Sequence, residues 1–334
     1  MNEKLGMKRA LQLAALGLGK AQPNPLVGAV IVHNDCIIGE GFHQQYGATH
    51  AEVNAIRSVE SQELLKKSTL YVNLEPCAHF GKTPPCTSLI IEKQIPKVVV
   101  GMRDPNQKVN GKGIKMLQNA GIEVIENVLV EECTLLNKRF ITWHTRKRPY
   151  IFLKWAQTKN GFMDIAGRDA LQCVSTKLDY WITNEAMRVW THKMRNEEQA
   201  ILIGYNTFVN DNPQLTNRLY GSSQPKRFVM CDTRKPEIKN ESFVFLKGDI
   251  NDVLHELYAQ NCQSVIVEGG KKTIQKFLDT QMWDEIFVLV GNVEWERGTL
   301  APKIPHTFKT ILTVDNDFIL QSLNSSTTQL LREL

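Results

Sequence analysis

Long apolar runs are missing from this 334-residue chain. None approaches the roughly 20 residues that span a bilayer, so no transmembrane helix and a soluble, cytoplasmic protein are expected. A dominant charge is missing as well. The 40 Lys and Arg stand against 35 Asp and Glu, a net charge of +5 without a long basic block, so nothing demands a nucleic-acid partner, and an anionic metabolite is welcome. The seven cysteines are odd in number and scattered, which excludes a closed disulfide framework and points to a reducing compartment. The dinucleotide fingerprint G-x-G-x-x-G is also absent. What the chain does have is size: its length and 42% hydrophobic content suffice for two ordinary cores.

The strongest signal is the split set His50, Glu52, Cys77 and Cys86. A neutral imidazole and two thiolates form a Cys2His ligand set that leaves a fourth position for water, the open arrangement of a catalytic zinc. A glutamate two residues after the histidine fits the proton shuttle of zinc deaminases, whose signature is H-x-E with P-C-x-x-C. Thr49 and Glu52 also form a capping box that would start a helix over 49–59. Cys77 follows a strand-like run, Thr69 to Leu74, and is expected to open the next helix, where free N–H groups favour thiolate. Eight residues separate the cysteines where nucleic-acid deaminases have two, and this loop carries His79, Lys82 and Thr83, suited to an anionic group. Cys36, Cys133, Cys173, Cys231 and Cys262 are left to packing.

Through the first half, strands over about 27–32, 36–41, 69–74, 98–101 and 122–126 alternate with helices near 50–60, 86–94, 111–120 and 130–143. His33-Asn34-Asp35 supplies hairpin chemistry between the first two strands, so a mixed sheet is expected. Asp104-Pro105-Asn106 falls after a central strand, where open sheets place ligands and where plain turns are equally at home. The cationic stretch Thr145 to Pro149 reads as a solvated hinge. Beyond it, strands near 150–156, 200–205, 226–231, 264–268 and 285–290 alternate with helices near 183–194, 251–260 and 271–279. Val265 to Gly270 leading into Lys271 is a strand, a Gly-Gly turn and a helix start, an arrangement that receives a pyrophosphate.

Asn24-Pro25-Leu26-Val27-Gly28-Ala29-Val30, His50-Ala51-Glu52 and Glu75-Pro76-Cys77 through Pro84-Pro85-Cys86 together resemble the bacterial bifunctional riboflavin-biosynthesis deaminase-reductases. Leu153 to Thr158, Trp181-Ile182-Thr183, Ala200 to Gly204 and Asn210 to Arg218 resemble the family's reductase part. The resemblance implies an α/β protein of two domains: a cytidine-deaminase-like three-layer domain with a mixed sheet over 1–146, and a dihydrofolate-reductase-like domain over 147–334. It implies zinc-dependent deamination of a phosphorylated diaminopyrimidine followed by NADPH reduction of its ribosyl group to ribityl. His50, Cys77 and Cys86 would hold zinc, with Glu52 the proton shuttle. Asn24, His43, His79 and Lys82 would line the deaminase substrate site. Trp181, Thr207, Asp211, Gly269 and Gly270 would contact NADPH, while Lys154, Arg195, Leu215, Arg218 and Glu268 would face the reductase substrate. A small phosphorylated pyrimidine is the expected partner, without nucleic acid or membrane, and a homo-oligomer is left open.

Two features depart from the family pattern. Asp179 stands where many relatives carry serine, and residues 164–179 form a longer segment that would reshape the reductase mouth. Two other readings compete: a nucleic-acid adenosine or cytidine deaminase with an appended binding domain, and a regulatory protein with a dead reductase half. The cysteine spacing, the absence of a basic stripe and the Gly-Gly turn argue against the first.

Overall fold

The computed structural model describes residues 2–80, 84–106, 110–165, 181–231, 240–304 and 307–333. Two compact units emerge: Met1–Lys147 with Gln329–Leu334, and Arg148–Thr328.

The first unit is built on strands β1 (Gly28–His33), β2 (Cys36–Phe42), β3 (Thr69–Leu74), β4 (Lys97–Met102) and β5 (Glu123–Ile125), in the order β2-β1-β3-β4-β5. β1 runs antiparallel to β2 and β3, whereas β3, β4 and β5 are parallel, so the sheet is mixed as expected. Asn34 and Asp35 both take positive φ, 47° and 63°, which is what a two-residue hairpin needs to match strand twist. Successive residues alternate between two cores. Ile31, Val98 and Val100 pack with helices α2 (Ala51–Ser58), α3 (Cys86–Glu92) and α4 (Lys112–Asn119) through Ala55, Ile90 and Leu117. Val30, Val32 and Val99 pack with α1 (Glu3–Ala15), α5 (Val130–Leu136) and α6 (Lys138–Arg146) through Met7, Ala10, Cys133 and Ile141. Three layers result. The contact of α1 with β1 requires Gly28, where a Cβ would lie 2.1 Å from the Ala10 carbonyl oxygen.

The single helix expected over 130–143 is two helices, broken at Asn137. The break has a use. The Asn137 side chain accepts the Leu26 N–H at 2.8 Å and donates to the Leu26 carbonyl at 3.0 Å. Asn73 in β3 repeats the device, donating to the same carbonyl and accepting the Gly28 N–H. Two buried amides therefore clamp the segment that carries Asn24.

Among the described residues the second unit has ten strands: β6 (Tyr150–Thr158), β7 (Phe162–Ile165), β8 (Ala200–Gly204), β9 (Lys226–Cys231), β10 (Val244–Lys247), β11 (Ser264–Glu268), β12 (Glu285–Gly291), β13 (Gly298–Leu300), β14 (Lys309–Val314) and β15 (Asp317–Leu323). Eight form one sheet in the order β10-β9-β8-β11-β6-β12-β15-β14, parallel from β10 to β12 and antiparallel beyond; β7 and β13 pair separately. The strands buried on both faces are near-continuous apolar runs, as parallel sheets demand. Helices α7 (Glu185–Glu197), α8 (Tyr205–Asp211), α9 (Ile250–Ala259), α10 (Lys271–Asp279) and α11 (Ser325–Glu333) complete the chain. The chain runs outward from β8 to β10 and returns to insert β11 between β8 and β6. A crevice is expected at the carboxyl ends of strands at such a reversal.

The cationic stretch before β6 is not simply a solvated hinge. The Arg148 guanidinium forms a two-pronged pair with the fully buried Asp284, at 2.5 and 2.9 Å, and Asp284 also accepts the Ile151 N–H. A bidentate partner makes burial of this cation tolerable.

Candidate active sites

In the first unit, the ligand atoms of His50, Cys77 and Cys86 lie within 4.8 Å of one another. His50 Nδ1 is 3.2 Å from Cys86 Sγ and 3.6 Å from Cys77 Sγ. Tetrahedral zinc, with Zn–S of about 2.3 Å and Zn–N of about 2.0 Å, sets nitrogen and sulfur roughly 3.6 Å apart, so the donor set fits that ion. The local folding differs from expectation in two ways. α2 begins at Ala51 with His50 as its N-cap and no side-chain cap, because Thr49 bonds Asn54 instead; Glu52 therefore has no capping duty. Cys77 sits in the loop after β3, and Cys86 opens α3, because Pro84 and Pro85 hold the chain extended until then.

Charge in this cluster follows from its burial. Glu52, 4% exposed, has its carboxyl pushed up to about 7, first by desolvation and then by the Cys77 thiolate. A carboxyl near neutrality can both take and give a proton. The hydrogen bond from the Cys86 thiol pulls Cys77 well below its ordinary value, while the same contact, with burial, pushes Cys86 up. The Cys77 hydrogen bond raises His50 above its ordinary value.

A cavity of about 270 Å³ opens onto this cluster, lined by Asn24, His43, His50, Glu52, Cys77 and His79 among others. His43 Nδ1 lies 3.1 Å from the Thr49 carbonyl and must donate to it, so Nε2, 2.9 Å from Asn24 Nδ2, accepts. Burial keeps this imidazole below its usual pKa, and neutral. Lys82 lies outside the described residues. Asp104 and Asn106, in the loop after β4 where open sheets place ligands, also line the cavity, and the structure adds His144. Burial pushes the Asp104 carboxyl up to about 6. It also adds a residue that sequence reasoning missed. Buried Glu75 accepts four backbone N–H groups, from Asp104 at 3.2 Å, Gly111 at 2.9 Å, Gly113 at 2.8 Å and Ile114 at 3.4 Å, tying the loop after β4 and the start of α4 to the residue two before Cys77. Cys133, Cys231 and Cys262 are buried as expected of packing residues, Cys36 is exposed at the start of β2, and Cys173 lies outside the described residues.

In the second unit, two cavities of about 580 and 570 Å³ share Lys154, Trp181, Arg195 and Leu215. The first also collects Thr207, Asp211, Glu268, Gly269 and Gly270, and the second Arg218. All ten residues expected in the reductase site thus converge. Glu268 ends β11 between two cations, with Arg195 Nη2 at 2.8 Å and Lys154 Nζ at 3.7 Å. Burial pushes the Glu268 carboxyl up, but Arg195 and Lys154 together pull it further down. Burial likewise holds Lys154 below its ordinary value against the opposing pull of Glu268. Trp181 is no core residue: 48% exposed, it lies under the Arg188 guanidinium, 4.6 Å from the ring centre. Asp179 and most of the long 164–179 segment lie outside the described residues, although Asp164 in β7 lines the larger cavity.

The start of α10 has the shape that a dinucleotide phosphate would need. Gly270 is the N-cap of α10 with no side chain capping it, and its N–H donates to Thr207 Oγ1 at 3.1 Å. A Cβ at Gly204 would lie 2.2 Å from Thr273 Oγ1, so glycine there lets the end of β8 meet α10. The helix start and the small residues around it fit NADPH.

Comparison with known proteins finds a relative of each unit. Residues 1–102 match the cytidine and deoxycytidylate deaminase zinc-binding region, and residues 149–293 match the RibD C-terminal domain. The class is a zinc-dependent deaminase joined to an NADPH-dependent reductase, an enzyme of two activities. Riboflavin biosynthesis protein RibD of Aquifex aeolicus is 38% identical over 319 residues, 86% of each chain, and that of Haemophilus influenzae is 42% identical over 326 residues, covering 85% of this chain and 84% of the relative. Among solved structures, the diaminohydroxyphosphoribosylaminopyrimidine deaminase/5-amino-6-(5-phosphoribosylamino)uracil reductase of Thermotoga maritima is similar at a TM-score of 0.84 with 37% identity, covering 96% of this chain and 97% of the other. Acinetobacter baumannii RibD is similar at 0.85 with 29% identity, covering 96% and 98%. The chain belongs to the RibD family of riboflavin biosynthesis proteins. It is a bifunctional enzyme of that pathway, with Zn2+ and NADPH as cofactors. No helix among the described residues is long and apolar enough to cross a membrane.

Proposed function

We propose that residues 1–146 deaminate 2,5-diamino-6-(5-phosphoribosylamino)pyrimidin-4-one and that residues 147–334 reduce the ribosyl group of the product to ribityl. The observation that carries this reading is the convergence of His50 Nδ1, Cys77 Sγ and Cys86 Sγ beside buried Glu52 at one cavity. His50, Cys77 and Cys86 would hold the zinc, which when bound acidifies the water that replaces the amino group. Glu52 would carry one proton of that water to the ring nitrogen as its oxygen adds to the carbon, and then the second proton, from the hydroxyl so formed, to the amino group, which leaves as ammonia when its bond to carbon breaks. Asn24, neutral His43 and His79 hold the heterocycle, and Lys82 grips the phosphate. In the reductase site Trp181, Thr207, Asp211, Gly269 and Gly270 would hold NADPH, which would supply a hydride to C1 of the ring-opened imine form of the sugar while the imine nitrogen takes a proton from water. Lys154, Arg195, Leu215, Arg218 and Glu268 hold the ribosyl phosphate.

The partner is thus a free nucleotide and not a nucleic acid, and the enzyme works in the cytoplasm, with homo-oligomerisation left to measurement. Purified protein given the diaminopyrimidine without NADPH should release ammonia and accumulate the uracil compound; added NADPH should then be consumed in equal amount. Ammonia release without subsequent NADPH oxidation would leave only the deaminase half of the reading.

A further inference from the structure

α7 grips the loop that carries Leu215 and Arg218 with three residues of one face. His192, Arg195 and Asn196 are spaced i, i+3 and i+4 and therefore project side by side. Each holds the loop backbone or its buried hub. His192 Nδ1 accepts the Arg218 N–H at 3.0 Å. Arg195 Nη1 donates to the Thr216 carbonyl at 3.2 Å, and Asn196 Oδ1 accepts the Ser223 N–H at 3.1 Å and the Asn217 amide at 3.3 Å. Asn217, 4% exposed, in turn donates to the Tyr220 and Ser223 carbonyls, accepts the Tyr220 N–H and exchanges two bonds with Gln224. The loop is a built object, and its shape at Arg218 depends on one lone pair.

That lone pair belongs to a titratable ring. His192 is 4% exposed and lines the cavity that holds Arg218. Accepting an N–H at Nδ1 puts the ring proton on Nε2 and requires the neutral imidazole. Arg195 on α7, Arg218 on the loop and Glu268 on β11 act on its charge, and Glu185, Arg188 and Lys154 line the same cavity. Burial first, and then Arg195 and Arg218, hold the imidazole below its ordinary value, which favours the neutral form that the Arg218 N–H requires.

We propose that His192 is a positioning residue of the reductase, whose neutral Nδ1 sets Arg218 for the substrate and whose protonation releases that loop. A protonated ring presents N–H to N–H at the Arg218 backbone, so the bond is lost and a repulsive contact replaces it. The proposal rests on the reading that Arg195, Leu215 and Arg218 hold the ribosyl phosphate. It makes reductase substrate affinity, and not NADPH affinity, acid-sensitive.

The test is steady-state reductase kinetics from pH 5 to 8 on the already deaminated substrate at saturating NADPH, with parent, His192→Gln, His192→Leu and Arg218→Ala, and NADPH affinity by fluorescence. Loss of one hydrogen bond predicts a KM increase of roughly 2- to 10-fold on acidification of the parent, with kcat little changed. The amide oxygen of His192→Gln accepts the same N–H, so this variant should keep the neutral-pH KM and lose the histidine step. Any residual slope then belongs to the substrate phosphate, which titrates near pH 6. His192→Leu should show the raised KM at every pH with unchanged NADPH affinity. A histidine step that survives in His192→Gln overturns the proposal, as does NADPH affinity falling in parallel with KM in His192→Leu. If the leucine variant does not fold, the glutamine profile alone decides. Arg218→Ala with a parental KM, alongside a lost step in His192→Gln, keeps the positioning role and removes the phosphate reading; a raised KM in Arg218→Ala with the step intact in His192→Gln does the reverse.

Discussion

Glu75 Oε1 accepts the Gly113 N–H at 2.8 Å, and at the same place the Gly113 Cα stands where a Cβ would come within 2.1 Å of the Pro76 carbonyl oxygen. Pro76 directly precedes Cys77, so the start of α4 and the metal-ligand loop are packed backbone to backbone with no room between them. Only glycine allows both the contact and the hydrogen bond.

Gly113→Ala should therefore act on the deaminase without touching any proposed ligand. Overpacking costs about 1–3 kcal/mol, and the strain falls on Pro76 and so on Cys77. The expected result is a lower urea midpoint with reduced zinc content and deaminase activity, while reduction of deaminated substrate continues at the parent rate. A variant with parental stability and zinc would show that the loop yields easily.

Metal content is the direct check on the donor set. Elemental analysis should return one zinc per chain in the parent, and Cys86→Ser should lose most of it, because two protein ligands hold the ion far less tightly than three. Unchanged metal in Cys86→Ser, or active parent protein well below one equivalent, contradicts the assignment of His50, Cys77 and Cys86.

Much of that site was legible because zinc chemistry admits few residue types, and His50, Glu52, Cys77 and Cys86 come in recognisable local strings. Glu75 was not, although it stands inside one of those strings: its partners are backbone N–H groups some thirty to forty positions away, and backbone donors leave no mark in a sequence. Asn137 illustrates the same limit, since its break in the helix serves a bond to Leu26, 111 positions away. Hydrophobic period revealed the buried parallel strands β6, β8, β9, β11 and β12 well, but not the half-exposed edge strand β10. It did not reveal α1, or the edge pair β14 and β15, where burial is partial and the apolar pattern correspondingly weak.

Separate chemistry in the two units predicts separable loss. Glu52→Gln keeps the shape of the side chain and removes its proton traffic, so deamination should fall by at least about 100-fold with zinc retained. Given deaminated substrate, the variant should oxidise NADPH as the parent does. Parallel loss of both activities would mean that Glu52 supports the whole protein and not one reaction.

Glu268 makes the stability of the reductase unit depend on pH. Its carboxyl is buried, which alone would raise its pKa, yet Arg195 at 2.8 Å and Lys154 at 3.7 Å bring it below its unfolded value. A carboxylate depressed on folding contributes stability that is complete above the unfolded pKa, about 4.3, and is lost as pH falls through the lower folded value. Glu268→Gln removes the charge and leaves two buried cations facing each other, which at pH 7 should cost about 3–5 kcal/mol. It should also make Lys154 easier to deprotonate, because the carboxylate that favoured its charged form is gone. Urea midpoints measured between pH 3 and 7 should therefore fall with acidification more steeply in the parent than in Glu268→Gln, so the two curves approach each other at the acid end. Parallel curves separated by a constant offset would show that the variant loses packing and not the charge that Arg195 and Lys154 hold.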